Sequence, residues 1–144
     1  MRFEDRLARE VTGEVFFDRF NRGRYATDAS FYQIMPAGVV VPKTIDEALR
    51  VLAIARDATR IVTPRGGGTS QCGQTVNHGI VVDFSKHLNR IISLDVEHRT
   101  CVVEPGIVLD DLNRQQRCSR LKQRSKCNLL VRVCNFEFKI DSVK

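Results

Sequence analysis

Pro64-Arg65-Gly66-Gly67-Gly68-Thr69-Ser70 stands between an apolar run, Ile61-Val62-Thr63, and the polar stretch Gln71-Cys72-Gly73-Gln74. Glycine reaches backbone angles that a Cβ forbids and lets a ligand approach the main chain closely. Successive N–H groups in such a turn can converge into an anion-binding nest, and the hydroxyls of Thr69 and Ser70 add donors beside it. The guest implied is a phosphate or pyrophosphate; the competing reading of the same residues is a flexible loop. Two common phosphate cradles are excluded. A P-loop needs Gly-x-x-x-x-Gly-Lys-Ser/Thr, and no lysine occurs after this loop until Lys86. The dinucleotide fingerprint Gly-x-Gly-x-x-Gly opens a helix, whereas these glycines are contiguous and the stretch beyond them is interrupted by Gly73, Asn77 and Gly79.

The flanks of the loop read as regular structure. Val39-Val40-Val41, ended by Pro42, is a β-branched run that predicts a buried strand. Thr44-Ile-Asp-Glu47 is a capping box, in which the Thr44 hydroxyl accepts from the Glu47 N–H and Glu47 reaches back. The helix it opens continues through Arg56, with Ile45, Leu49 and Leu52 on one face. Thr59 sits near its end, where Gly would be usual, so a frayed last turn is expected. Ile61-Val62 is the next strand, and residues 39–63 form a β-α-β unit that delivers the chain to the glycines. Beyond them, Gly79-Ile-Val-Val-Asp-Phe84 is a third strand. Arg90–Leu94 and Arg99–Glu104 should pair as an antiparallel hairpin across the polar turn Asp95-Val-Glu-His98, and Val108–Asn113 begins a helix. Upstream, Arg2–Glu10, with Phe3 and Leu7 four apart, reads as a short surface helix. Val15-Phe16-Phe17 and Phe20 supply apolar mass before Arg22-Gly23-Arg24 turns the chain. Tyr25 and Tyr32 read as partly buried aromatics at a core edge. His87 and His98 read as surface residues.

Composition bounds the function classes. A chain of 144 residues, 42% hydrophobic and 28% charged, has the balance of one globular domain. No apolar run approaches the ~20 residues of a membrane span. Met1–Glu10 mixes both charge signs without an apolar core, unlike a secretory leader, so the expected compartment is the cytoplasm. The net charge of +6 lies wholly in residues 116–144, which hold 8 Lys/Arg against 2 Asp/Glu, while residues 1–115 hold 15 of each. That tail has few aromatics for base stacking and supports non-specific contact with nucleic acid at most. Cys118, Cys127 and Cys134 lack the spacing of a zinc site, and all three histidines lie upstream of them, so no metal site is expected. Cys72 and Cys101 read as reduced thiols.

Five motifs occur in order: Arg24-Tyr-Ala-Thr-Asp-Ala-Ser30, Val39-Val-Val-Pro-Lys-Thr44, Pro64-Arg-Gly-Gly-Gly-Thr-Ser70, Gly79-Ile-Val-Val-Asp-Phe-Ser-Lys86 and Val103-Glu-Pro-Gly-Ile-Val-Leu-Asp-Asp-Leu-Asn113. Together they resemble the start of the PCMH-type FAD-binding domain of FAD-linked oxidases, most of all the bacterial D-lactate, glycolate and D-2-hydroxyglutarate dehydrogenases. The resemblance runs from Arg24 to Gln115. It implies an α+β fold, the N-terminal half of the flavin domain, built as a β-α-β unit plus a small antiparallel sheet. The organisation expected is an N-terminal extension over 1–35, the flavin-domain segment over 36–115, and a basic, Cys-containing tail over 116–144 that does not match the family.

The resemblance places the pyrophosphate of FAD against the main-chain N–H groups of Gly66, Gly67, Gly68 and Thr69. Ser70, Gly73 and Gln74 continue the cradle, and Arg65 is the one nearby cation. The competing reading of Arg65 is an ion pair with a carboxylate of the domain. Members that attach flavin covalently often carry a histidine after these glycines, where this chain has Thr69, so FAD is expected to be held non-covalently. The lack of a family match after Gln115 suggests a truncated, inactive fragment that holds FAD weakly, or one completed by a separate chain. No residue present is a credible general base for oxidising a 2-hydroxy acid, and no catalytic residue is named. The alternative is a non-enzymatic binding module whose basic tail contacts nucleic acid or an acidic partner.

Overall fold

The computed structural model describes residues 2–95, 97, 98, 100–118, 129–133 and 136–140. They fall in two compact units, Met1–Leu88 and Asn89–Lys144.

The first unit is built on two continuous apolar strands. Strand β2 (Gly38–Val41) and strand β4 (Ile80–Asp83) are buried throughout and pair in parallel, and β3 (Val62–Arg65) adds in parallel to the far side of β4. Strand β1 (Glu14–Phe16) pairs antiparallel with β2, giving the order β1-β2-β4-β3. Pro64 is tolerated because β3 is an edge, where a missing N–H costs no ladder bond. Alternation along β2 and β4 sends successive side chains to opposite faces. Val40, Ile80 and Val82 pack on one face with Leu7 of α1 (Phe3–Glu10) and with Val51 and Ile54 of α3 (Ile45–Asp57). Val39, Val41 and Val81 form the other face, covered by Phe16 and Tyr25. Residues ahead of the glycine-loop motifs are thus built into this core through Leu7, Val11 and Val15.

Helix α3 departs from its reading in three ways. The Thr44 hydroxyl accepts from the Glu47 N–H at 3.2 Å as the capping box requires, but the Glu47 carboxylate reaches past Thr44. It accepts from the N–H of Lys43 at 2.7 Å, from the N–H of Thr12 at 2.9 Å, and from the Thr12 hydroxyl. That tie to the residues before β1 fixes the rotation of the helix. The buried face is therefore Ala48, Val51, Ile54 and Ala55, whereas Leu49 and Leu52 are 58% and 48% exposed. Small and β-branched side chains let the helix lie close on the sheet, and the leucine stripe is left outside. The last turn is also not frayed. Thr59 takes the left-handed conformation, φ 51°, and the N–H groups of Thr59 and Arg60 bond to the carbonyls of Arg56 and Ala55 at 3.0 and 2.8 Å. This is a complete Schellman closure with Thr in the position glycine usually fills.

Two short elements, β1 and α2 (Arg19–Arg24), went unread because three and six residues carry too little periodicity. Asp18 caps α2 by accepting from the Asn21 N–H at 2.9 Å.

In the second unit β5 (Ile91–Asp95) and β6 (Thr100–Val103) form the expected antiparallel hairpin. The buried Glu104 carboxylate closes its base, accepting from the Arg90 N–H at 2.8 Å and from the Arg90 guanidinium at 2.8 and 3.2 Å. Cys101, Val103 and Leu112 of α4 (Leu109–Cys118) form its core. The β-prone stretch of the tail adds two strands, β7 (Leu129–Val133) and β8 (Phe136–Ile140). Strand β7 pairs parallel with β6, and β8 pairs antiparallel with β7, so this sheet is mixed rather than purely antiparallel. Residues 119–128, 134, 135 and 141–144, with the tail cysteines Cys127 and Cys134, lie outside the described residues.

Candidate functional site

Strands β3 and β4 run in the same direction, with Arg65 opposite Asp83 at their carboxyl ends. Ligands of open parallel sheets gather at such ends. Arg65 and Asp83 lie two residues beyond Thr63 and Val81, so both fall on the face that Tyr25 covers. The Tyr25 hydroxyl donates to Asp83 Oδ2 at 2.8 Å, and Asp83 Oδ1 accepts from the Ser85 N–H at 2.8 Å. Burial, reinforced by that bond to a carboxylate, pushes the Tyr25 phenol up to about 12. The Arg65 guanidinium lies over the Tyr25 ring, 5.3 Å from its centroid. It donates to the carbonyls of Tyr25 and Thr27 at 3.2 and 2.8 Å. Among the described residues no carboxylate forms an ion pair with Arg65, so the carboxylate partner considered from sequence is replaced by main-chain carbonyls and a ring.

The glycines of the loop divide into two kinds. Gly68 has φ +67°, and a Cβ there would lie 2.5 Å from Arg65 Nη2. Gly73 has φ +75°, and a Cβ would lie 2.6 Å from the Tyr32 ring. Both are glycine for reasons internal to the fold. Gly66 and Gly67 are not. A Cβ at Gly66 would meet nothing within 4 Å, and at Gly67 only Thr69 Cγ2 at an ordinary 3.7 Å. Neither residue has a positive φ. Among the described residues, none would be obstructed by a side chain at these two positions. Among the described residues none accepts a hydrogen bond from the N–H groups of Gly66, Gly67, Gly68 or Thr69. The arrangement fits a bound anion: adjacent donors without partners, beside a surface kept clear of side chains.

The rest of the loop is braced from within. The Gly68 carbonyl accepts from the Ala29 N–H at 3.1 Å, and the Thr75 hydroxyl donates to Asp28 Oδ2 at 3.0 Å. Asp28 also accepts from the hydroxyl and N–H of Ser30, bonds that hold its carboxyl below the usual range. Ser70 and Gln74 bond to each other: the Ser70 hydroxyl donates to Gln74 Oε1 and accepts from the Gln74 N–H at 3.4 Å. Thr69 and Gln74 are exposed, and Gly73 is half-buried. The structure thus gathers Arg65 through Gln74 into one loop and sets the segment Tyr25–Tyr32 against it. Tyr25, Asp28 and Asp83 went unread as parts of this site. Their partners lie 58, 47 and 58 residues away in sequence, beyond the reach of spacing rules.

His87 and His98 each have a carboxylate partner, the first 73 residues away and the second three residues away. His87 Nε2 lies 3.3 Å from Glu14 Oε1, which also accepts from Lys86 Nζ at 2.5 Å, and His98 Nδ1 lies 2.8 Å from Asp95. No cluster of three or more His, Cys, Asp or Glu among the described residues could hold a metal, and no described helix is long and apolar enough to cross a membrane.

Fold and loop together define a flavin-binding domain of the PCMH type. The family model described as the FAD binding domain matches residues 36–124, and the chain belongs to that family, whose cofactor is FAD. Over 106 residues it is 44% identical to the D-2-hydroxyglutarate dehydrogenase of Escherichia coli (strain K12), covering 72% of this chain and 10% of that protein. Over 110 residues it is 40% identical to the glycolate oxidase subunit GlcD of Bacillus subtilis (strain 168), covering 73% of this chain and 23% of that protein. The chain therefore spans between about a tenth and a quarter of the length of these relatives. Among solved structures, wild-type Physcomitrella patens BBE-like 1 shares the fold with a TM-score of 0.69 at 19% identity, over 83% of this chain and 26% of that one. p-Cresol methylhydroxylase does so with 0.67 at 14% identity, over 86% and 25%. The comparisons give no support to the alternative of a binding module with a basic tail.

Proposed function

We propose that this chain supplies the pyrophosphate-holding part of the FAD site in a flavin-dependent oxidoreductase that acts on a 2-hydroxy acid of the D-lactate, glycolate or D-2-hydroxyglutarate type. The observation that carries the reading is the pair Gly66-Gly67, free of any internal need for glycine, beside four N–H groups without acceptors among the described residues. The relatives at 44% and 40% identity support the substrate class. The N–H groups of Gly66, Gly67, Gly68 and Thr69 hold the phosphate oxygens, and Ser70, Gly73 and Gln74 shape the far side of the loop. Bound FAD supplies the two-electron acceptor for the oxidation. Thr69 offers no ring nitrogen for attachment, so the cofactor is held without a covalent bond. The greater length of the relatives supports a further contribution over the flavin ring, from additional sequence or from a separate chain. The 144 residues alone hold FAD weakly and turn over no 2-hydroxy acid.

Competition separates this reading from a general affinity for flavin. If the loop holds the pyrophosphate, ADP displaces FAD from the chain and riboflavin, which has no phosphate, does not. Displacement by riboflavin at the concentrations where ADP acts would overturn it.

A further inference from the structure

The geometry points to Arg65 as a positioning residue that sets the shape of the glycine loop through the segment Tyr25–Ala29, and not as an ion-pair partner of the cofactor phosphates. The inference deepens the cradle reading above and rests on it for its ligand-binding arm. The guanidinium is turned inward: Nη1 and Nη2 donate to the carbonyls of Tyr25 and Thr27, and its central carbon lies over the Tyr25 ring. Gly68 lies against the same guanidinium, where even a methyl group would overlap Nη2. Gly68 is in turn tied by its carbonyl to the Ala29 N–H at 3.1 Å. Arg65 therefore touches both parts of one clasp, the loop at residue 68 and the segment 25–29. Tyr25 is itself anchored to β4 through Asp83. A planar fork can bridge two carbonyls and stack on a ring at once, whereas the point charge of lysine cannot. The N–H groups of Gly66–Thr69, which have no acceptor among the described residues, then present a fixed surface, and the cation contributes by holding it.

The test uses the full chain as Arg65→Gln, Arg65→Lys and Gly68→Ala, the last of which keeps the charge but both displaces the guanidinium and strains the left-handed backbone at residue 68, so that the two arginine variants carry the decision. Hydrogen exchange is read at the Ala29 amide without ligand, with the amides of Val40 and Val82 reporting the fold. FAD affinity is read across a salt series. All three variants should speed Ala29 exchange at least tenfold and leave the core amides unchanged. They should weaken FAD by comparable factors without altering the slope of affinity against salt, because no exposed charge pair is lost. If Arg65→Lys keeps full affinity while Arg65→Gln loses it with a shallower salt slope, Arg65 pairs with the phosphates and the inference falls. Unchanged Ala29 exchange in every folded variant also overturns it. If one arginine variant fails to fold, the other decides by the same two readouts. A failure of the cradle reading shows separately, as equal FAD binding by the unmodified chain and Gly67→Asp, and Ala29 exchange still reports whether Arg65 holds the loop.

Discussion

Gly67→Asp isolates the cradle from the fold. The new Cβ meets only Thr69 Cγ2 at 3.7 Å, and the backbone there is not left-handed, so the side chain enters open space. An exposed substitution of this kind changes stability within about 0.5 kcal/mol. Its effect on a phosphate ligand should be far larger. Two unit charges ~4 Å apart repel by about 1 kcal/mol in bulk water and about 4 kcal/mol at the effective dielectric of a protein surface. Gly67 is exposed, which favours the lower figure per charge, but a pyrophosphate presents two charges. A loss of about 2–4 kcal/mol is expected, or roughly 30- to 700-fold in affinity at 1.4 kcal/mol per decade. Gly67→Ala adds bulk without charge and should fall between the two.

Titration of FAD followed by flavin fluorescence reads the affinities, and thermal unfolding of the same samples reads the fold. Equal binding by all three proteins would show that the loop is not the cradle. A large fall in the unfolding midpoint of Gly67→Asp would show that the space at Gly67 is not open, and that the glycine serves packing after all.

Other consequences are narrower. Because the Tyr25 phenol is held neutral up to about 12 against an ordinary value of 10.0, its contribution to stability is complete below pH 10 and lost as pH rises from there towards 12; the tyrosinate absorbance should show one late ionisation that Tyr25→Phe removes. Glu104 is depressed, chiefly by its hydrogen bonds from the Arg90 side chain and against the opposing effect of burial, so its contribution is complete above the ordinary carboxylate range and lost as pH falls through its lower folded value. Glu104→Gln should flatten the acid limb of the stability profile measured by denaturant unfolding. Glu47→Ala leaves the N–H groups of Lys43 and Thr12 without their acceptor and should cost about 2 kcal/mol in the same assay. Thr59→Gly should stabilise by about 1 kcal/mol, since it removes a β-branched residue from a left-handed position; a destabilised variant would refute that account of the helix end.

Much of the fold was legible because it depends on residue type at short range. Val39–Val41 and Ile80–Asp83 are the central parallel strands of the first sheet, and strands buried on both faces are written as unbroken β-branched runs. The start of α3 was legible in the Thr44 hydroxyl and its partner three residues on. Its inner face was not. Two apolar stripes, Ala48-Val51-Ile54-Ala55 and Ile45-Leu49-Leu52, compete on one helix, and the choice is made by the grip of Glu47 on Thr12, 35 residues away. The larger stripe would win on transfer free energy alone, so hydrophobicity points the wrong way here.

The site divides along the same line. Its glycines could be read directly, yet residue type alone could not sort them into Gly68 and Gly73, which the backbone requires, and Gly66 and Gly67, which it does not. The arginine beside them was read as a charge in search of a charge, because that is the partner residue types can announce. Its actual partners are the carbonyls of Tyr25 and Thr27, and every residue carries a carbonyl. No substitution pattern at position 27 would mark that bond, since Thr27 contributes nothing to it but main chain. What selects it is geometry: parallel register sets Arg65 beside Asp83, Asp83 anchors the Tyr25 hydroxyl, and the anchored tyrosine delivers its own carbonyl and that of Thr27 to the guanidinium. The segment that completes the loop thus lies ahead of residue 36, where the match to the family begins.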